Sequence, residues 1–288
     1  MAADREPETR DNAPQAGIAS ADGDGVLTRF QELLPVVQIA TARERLETCV
    51  RNEPVAAVLA RNAGGFDFWP VREDAPAARG AFVGLFDTRR VTDRAPDALV
   101  SEIMAPLDED NLIGGDASIL DFIRSGDRQP CRLVVSGARV SGLVTLSDLQ
   151  KLPVRAALFA LVTHLEMTMA AAIRRECPAP DQWQRRMSSG RRDGLADKIA
   201  ASTRADSMVD ALEFTDFADK RQILMKSDRL QVSKRRFEAE LKAIEDLRNP
   251  LAHAGSYAET RDEALRLCGT VRAADEWVDT FSNWARGL

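Results

Sequence analysis

His253 is one of only two histidines in 288 residues, and it follows Arg248 by five positions in EDLRNPLAHAG (residues 245–255). Histidine titrates near neutrality and can carry protons, while arginine stays charged and forks onto phosphate oxygens. Together they suit chemistry at a phosphodiester. Asn249, next to Arg248, can orient His253 by a hydrogen bond or cap a helix. Glu166, far upstream, is the acidic candidate for the same site. A second constellation, Thr145-x-x-Asp148 with Gly142 and Ser147 beside it, places hydroxyls and a carboxylate near one turn.

Composition narrows the chemistry. The four cysteines, Cys49, Cys131, Cys177 and Cys268, form no CxxC pair. With two histidines as well, a metal centre within one chain is not expected, and neither are disulfides. Hydrophobic residues make up 44% and charged residues 29%, in the range of ordinary globular proteins. No uninterrupted apolar run approaches the roughly 18 to 20 residues of a membrane span. The first residues, MAADREPETRDNAPQ, lack the basic start and apolar core of a signal peptide. A cytoplasmic protein with no membrane partner is the expectation. The net charge of −6 does not favour nucleic acid, but the acidity sits in the first half, since the charges after Val154 nearly balance. Within that second half, QRRMSSGRR (184–192) is a local basic cluster. It reads as a solvated loop or as a rim that touches phosphate.

The elements that must position these residues fall into three stretches. Residues 1–30 are rich in Ala, Asp, Glu, Gly and Pro, and are expected as a disordered tail. From 31 to 153 strand and helix signals alternate. LPVVQIA reads as extended, TARERLETCVRN as a helix, and VAAVLARN and ARGAFVGLFD as strands. Asp116 is a plausible N-cap for ASILDFIRS, with Ile119, Leu120 and Ile123 on one face. CRLVV and RVSGLVT form a hairpin across Ser136-Gly137-Ala138, and LSDLQKL opens another helix. The helix–strand–strand–helix unit is present twice.

The second copy resembles a cystathionine-beta-synthase (CBS) domain, in GARVSGLVTLSDLQKLPV (137–154). The resemblance implies that Thr145 sets its hydroxyl on the phosphate of an adenosine nucleotide (AMP, ADP or ATP), with Ser147 beside it at the site. It implies Asp148 on the ribose hydroxyls and Gly142 in the approaching strand. Asp148 or Ser147 would equally serve as a helix cap. The first copy departs from the pattern: in GAFVGLFDTRRVTD (80–93), Asp87 stands where Thr145 would and Arg90 where Asp148 would. A carboxylate facing phosphate repels it, so this pocket is expected to be altered or dead.

From 154 to 288 no period-two pattern appears. Leu158, Leu161, Val162, Leu165, Met169 and Ile173 make one stripe, with Pro153 suited to the first turn of that helix. Phe237, Leu241, Ile244 and Leu247 make another, and Leu267, Val271, Val278, Phe281 and Ala285 a third. An all-helical bundle is expected, with the chain breaking at Pro250, which cannot donate and clashes with the preceding turn. His164 reads as structural, and Trp277 and Trp284 as packing.

Arg248, Asn249 and His253, late in such a bundle, resemble the Arg-x(4–6)-His signature of the HEPN (higher eukaryotes and prokaryotes nucleotide-binding) superfamily. The resemblance implies a metal-independent endoribonuclease, active as a homodimer and leaving 2′,3′-cyclic phosphate ends on RNA. No cofactor is then required for catalysis. The fold class expected is α+β: a tandem CBS pair (βαββα twice) followed by an all-α HEPN-like domain. Two functions from different classes remain open. One is a ribonuclease governed by nucleotide on the CBS pair. The other is a non-catalytic nucleotide sensor or dimerisation scaffold.

Overall fold

The computed structural model describes residues 23–74, 80–91, 98–204 and 210–288. Two four-stranded sheets occupy the first half. A helix α1 (Gly23–Glu32) and a 3-10 turn at Val36–Gln38 lead into β1 (Thr41–Ala42). Unit 1 follows: β2 (Cys49–Val50), α2 (Val55–Ala60), β3 (Phe68–Arg72), β4 (Phe82–Asp87), a 3-10 turn at Thr88–Arg90, α3 (Val100–Ile103) and β5 (Ala105–Pro106). Unit 2 is β6 (Leu112–Gly114), α4 (Ile119–Ser125), β7 (Cys131–Ser136), β8 (Arg139–Thr145) and a 3-10 turn at Leu146–Gln150.

The duplication is explicit in the strand order. One sheet runs β2-β3-β4-β5 and the other β6-β7-β8-β1. In each, the first pair is parallel and the next two antiparallel. The fourth strand of each sheet comes from the segment just ahead of the other unit, which stitches the two together. Glycine permits that crossing at matched places. A Cβ on Gly142 would meet the Thr41 carbonyl at 2.6 Å, and one on Gly84 the Ala105 carbonyl at 2.4 Å. Gly142, expected at the nucleotide, is therefore needed for the close approach of β1. It is absent from the cleft lining described below.

Several local expectations are corrected. LPVVQIA holds a 3-10 turn, and TARERLETCVRN is broken into β1, a 3-10 turn at Arg43–Arg45 and β2 rather than a helix. VAAVLARN is α2, not a strand: its Val55 and Val58, three apart, both turn into the unit 1 core. Ser118, not Asp116, caps α4, in a reciprocal box with Asp121. Part of the stretch expected as tail is helical, because Leu27 of α1 packs on the core; residues 1–22 lie outside the described residues.

The C-terminal half is helical: α5 (Leu152–Glu176), α6 (Pro180–Gln184), α7 (Ser189–Arg204), α8 (Phe217–Leu224), α9 (Lys234–Ala252) and α10 (Arg261–Arg286). The α5 and α10 helices pack along their lengths, with α8 and α9 against α5. Trp277 and Trp284 bracket Phe281 in an aromatic run, so they serve packing as expected, and His164 is buried in α5. By length and mean hydropathy, 1.6 over 18 residues, α5 could cross a membrane, but 61% of that window is buried inside the protein. Unit 1 has a small core of its own around Trp69, Val71 and Phe86. Unit 2 does not: Phe122, Ile123 and Leu149 join Leu158, Leu165 and Phe281 in one continuous core with the helices. Each such side chain contributes about 1.5–3 kcal/mol on burial. All four cysteines are free and buried, and burial pushes their thiols up, that of Cys49 to about 12.

Candidate functional site

The α9 helix does not break at Pro250; it runs on to Ala252, with His253 as its C-cap. The missing donor and the ring of Pro250 act on the turn before it, at the Asp246 carbonyl, and the helix continues past them. The carbonyls left over at the helix end have partners: the Arg155 guanidinium on α5 donates to the oxygens of Pro250 (2.6 Å), Leu251 (3.3 Å) and Gly255 (2.7 Å). Gly255 N–H donates to the Pro250 carbonyl at 2.8 Å, and Ala254 takes the left-handed conformation at φ 55°. This is a Schellman end with alanine where glycine is the usual choice. Asn249 therefore caps nothing; it lies inside the helix, its side chain exposed and its carbonyl accepting from His253 N–H.

Three members of the expected catalytic set sit around this helix end. Arg248 Nε lies 3.2 Å from a Glu166 oxygen, and the other Glu166 oxygen lies 3.0 Å from Lys220 Nζ. Lys220 is buried, and also donates to the Thr215 carbonyl. Glu166 thus joins an interior cation to an outer one, with both oxygens occupied. Its part is to position Arg248. His253 is exposed, a full turn further along. The basic cluster is partly helical rather than a loop: α7 begins within it, and Arg185, Arg186 and Arg191 are paired with Asp181, Glu176 and Asp219, while Arg192 is exposed. Among the described residues no group of three or more metal-binding side chains occurs.

The second constellation lies in a cleft of about 500 Å³ between unit 2, unit 1 and the helical half. Thr145, Ser147 and Asp148 line it. Local chemistry accounts for much of their arrangement. Asp148 accepts from Thr145 N–H at 2.7 Å and Thr145 Oγ1 at 3.3 Å, and its other oxygen lies 2.7 Å from Lys151 Nζ. A carboxylate offers about four acceptor positions, so one is left for a ligand hydroxyl, not two. Cap and ligand contact are compatible at Asp148, in that proportion.

The remaining walls were not anticipated. Arg45, Glu47 and Gly64 to Phe68 come from the first half, and Ala258, Glu259, Thr260, Arg261 and Ala264 from the start of α10 and its approach. No periodicity or spacing signals that a loop after residue 250 closes a cleft beside residue 145. A related cleft of about 220 Å³ is lined by Asp87 and Arg90 of unit 1 with Arg128, Gln129 and Asp108. Burial would raise the Asp87 carboxyl, but Arg89, bonded to it at 2.8 Å, outweighs that and holds it below the usual range.

No family model matches the chain, and no curated protein matches it. Its neighbours among solved structures are CBS domains. The CBS domain of the bacterial CNNM/CorC family Mg2+ transporter in complex with ATP is 18% identical, with 44% of this chain and 92% of that chain covered at a TM-score of 0.36. CBSX2 in complex with AMP is 18% identical over 43% of this chain and 96% of that one, TM-score 0.34. A CBS-containing hemolysin-like protein of Oenococcus oeni PSU is 16% identical over 45% and 96%, TM-score 0.35.

Proposed function

We propose that this chain is an adenosine-nucleotide sensor whose helical half is the responding part. The observation that carries the reading is the larger cleft. It has the hydroxyls of Thr145 and Ser147 and the carboxylate of Asp148 on one side, arginines on others, and a volume suited to one small ligand. Calorimetry with AMP, ADP and ATP is the direct test: at least one binds the full chain, and Asp148→Ala weakens it about tenfold. Unaltered affinity in that variant would move the site elsewhere.

A specific observation favours an enzymatic response, as a metal-independent endoribonuclease. Arg248 and His253 both face outward at one helix end, and Glu166 steadies the arginine. One chain supplies one imidazole, whereas cleavage by the ribose 2′-hydroxyl calls for a base and an acid. A two-fold pair would supply both. The surface for a second copy is the outer stripe of α5, where Leu152, Phe159 (45% exposed) and Met167 (52% exposed) stand at helical spacing beside Glu166. A helix apolar on every face is ordinarily covered on every face. Structured RNA incubated in EDTA is then cut to 2′,3′-cyclic phosphate ends. Cutting is lost in both Arg248→Ala and His253→Ala, and Phe159→Glu yields a monomer. Full activity in either alanine variant would leave the sensor reading without an enzyme.

A further inference from the structure

We propose that the larger cleft takes a nucleoside monophosphate whose phosphate is held by Arg261 of the helical half, so that the segment carrying His253 reads occupancy directly. This rests on the cleft being a nucleotide site.

The cleft is not a property of the two sheets alone. Residues 258–261 and Ala264 close one side of it. Arg261 reaches across to Asp67 of unit 1, at 4.0 Å, with both side chains about half exposed. So long and wet a pair is weak, and a phosphate would make a shorter, two-pronged replacement. Asp67 would not be stranded, since Arg89 lies 3.4 Å from it on its own sheet.

The charges around the cleft restrict the ligand. Arg45 and Arg261 face Glu47, Asp67, Asp148 and Glu259. Lys151 balances Asp148, and Arg89 and Arg90 together meet Asp67 and Asp87, which leaves two arginines against two glutamates. The two guanidinium forks can meet the oxygens of one phosphate group, whereas a triphosphate with about four negative charges would leave most of its charge unmet. Phe66, 49% exposed and lining the cleft, offers a ring face for the base.

The segment that reads occupancy is already strapped to the nucleotide turn. Tyr257 Oη donates to the Leu149 carbonyl at 2.6 Å. Gln150, with its amide oxygen turned to its donors, accepts from Ala258 N–H at 2.8 Å and Glu259 N–H at 3.2 Å. Arg155 grips three carbonyls between Pro250 and Gly255 and lies over the Tyr257 ring, 5.1 Å from its centre. Pulling Arg261 inward therefore tightens a stretch of ten residues, 250–259, that contains His253.

The test is calorimetry on the full chain with adenosine, AMP, ATP and inorganic phosphate, together with amide hydrogen exchange. AMP should bind tighter than ATP. Arg261→Gln should weaken AMP about tenfold or more while leaving adenosine unchanged, with Arg261→Lys in between. AMP should slow exchange across residues 250–259 in the wild type and not in Arg261→Gln. Equal AMP affinity in wild type and Arg261→Gln, or ATP tighter than AMP, overturns this proposal while the nucleotide reading stands. A wild-type chain that binds neither adenosine nor any nucleotide overturns both.

Discussion

The two clefts share one topology and differ in almost everything that decides binding. Each lies at the junction of a strand with a 3-10 turn, in matched positions of matched sheets. In the larger, the turn begins with Thr145 and ends its box with Asp148, whose charge is met by Lys151. In the smaller, the first residue is Asp87, locked by Arg89, and Arg90 occupies the place of the second carboxylate. The first arrangement leaves hydroxyls and one acceptor position facing open space. The second closes its charges on itself, in less than half the volume. The two units differ in the same direction: unit 2 shares its core with the helices, while unit 1 keeps one apart from them and meets unit 2 through Phe82 and Leu85 against Leu133 and Leu143. The helical half therefore shares its interior with unit 2 and not with the unit 1 core.

The sharpest way to break this contrast is to cut a cavity in each unit. Phe122→Ala in unit 2 and Phe86→Ala in unit 1 each remove a fully buried ring, at a cost of about 3–5 kcal/mol. Hydrogen exchange should show Phe122→Ala loosening the helical bundle as well, and Phe86→Ala loosening unit 1 alone. Matched patterns in the two variants would mean the cores are not separate.

Next in size is the pair Asp148→Ala and Asp87→Ala. Each removes a side chain that caps a 3-10 turn, worth about 1 kcal/mol in thermal unfolding. Nucleotide affinity should fall about tenfold in the first and hold in the second. Binding lost through Asp87 instead would reverse the assignment of the clefts.

Tyr257 is the only tyrosine in the chain, so its ionisation is legible by absorbance near 295 nm. Burial pushes its hydroxyl up to about 12. The bond to Leu149 is then fully present below about pH 10, the ordinary value for tyrosine, and is lost as pH rises toward 12. A midpoint near 10 in the folded chain would show the strap to be open. Tyr257→Phe should cost about 1 kcal/mol.

The smallest effect is at acid pH. Arg272 bonds Asp127 at 2.7 Å, joining the end of α4 to α10, and holds that carboxyl below its ordinary 3.8. The contribution is whole above that value and disappears as pH falls through the lower folded one. Because the pair is partly exposed, it is worth at most about 1 kcal/mol. Arg272→Gln should flatten that part of the stability profile below about pH 4.

Much of the framework was legible in the residues. The β7–β8 hairpin and the apolar stripes of α5, α9 and α10 follow from period-two and period-3.6 patterns long enough to be unambiguous, whereas in the first unit only β4 was read as the structure has it and β3 was missed. Short apolar runs were not legible. VAAVLARN satisfies either period over six residues, and only its placement above β3 and β4 makes it a helix. Pro250 misled for a related reason: a rule about helix interiors was applied to a last turn that another helix props. At the site, Thr145, Ser147 and Asp148 were readable as a turn signature. Gly142 was readable only as a glycine, and its reason is the Thr41 carbonyl against it.

What the chain determines locally is which segments curl or extend and which of their faces are apolar, because those follow from spacing and from side chains near in sequence. Thr145 bonding Ser147 and Asp148 bonding Thr145 belong to that class, as does Glu166 being available on a helix. Which distant groups meet was decided by packing. Arg155 beneath Gly255, Tyr257 on Leu149 and Arg261 across from Asp67 are about 100 residues or more apart. Their encounters depend on where a shared hydrophobic core sets α5 and α10 against unit 2, and no pattern along the chain encodes that distance.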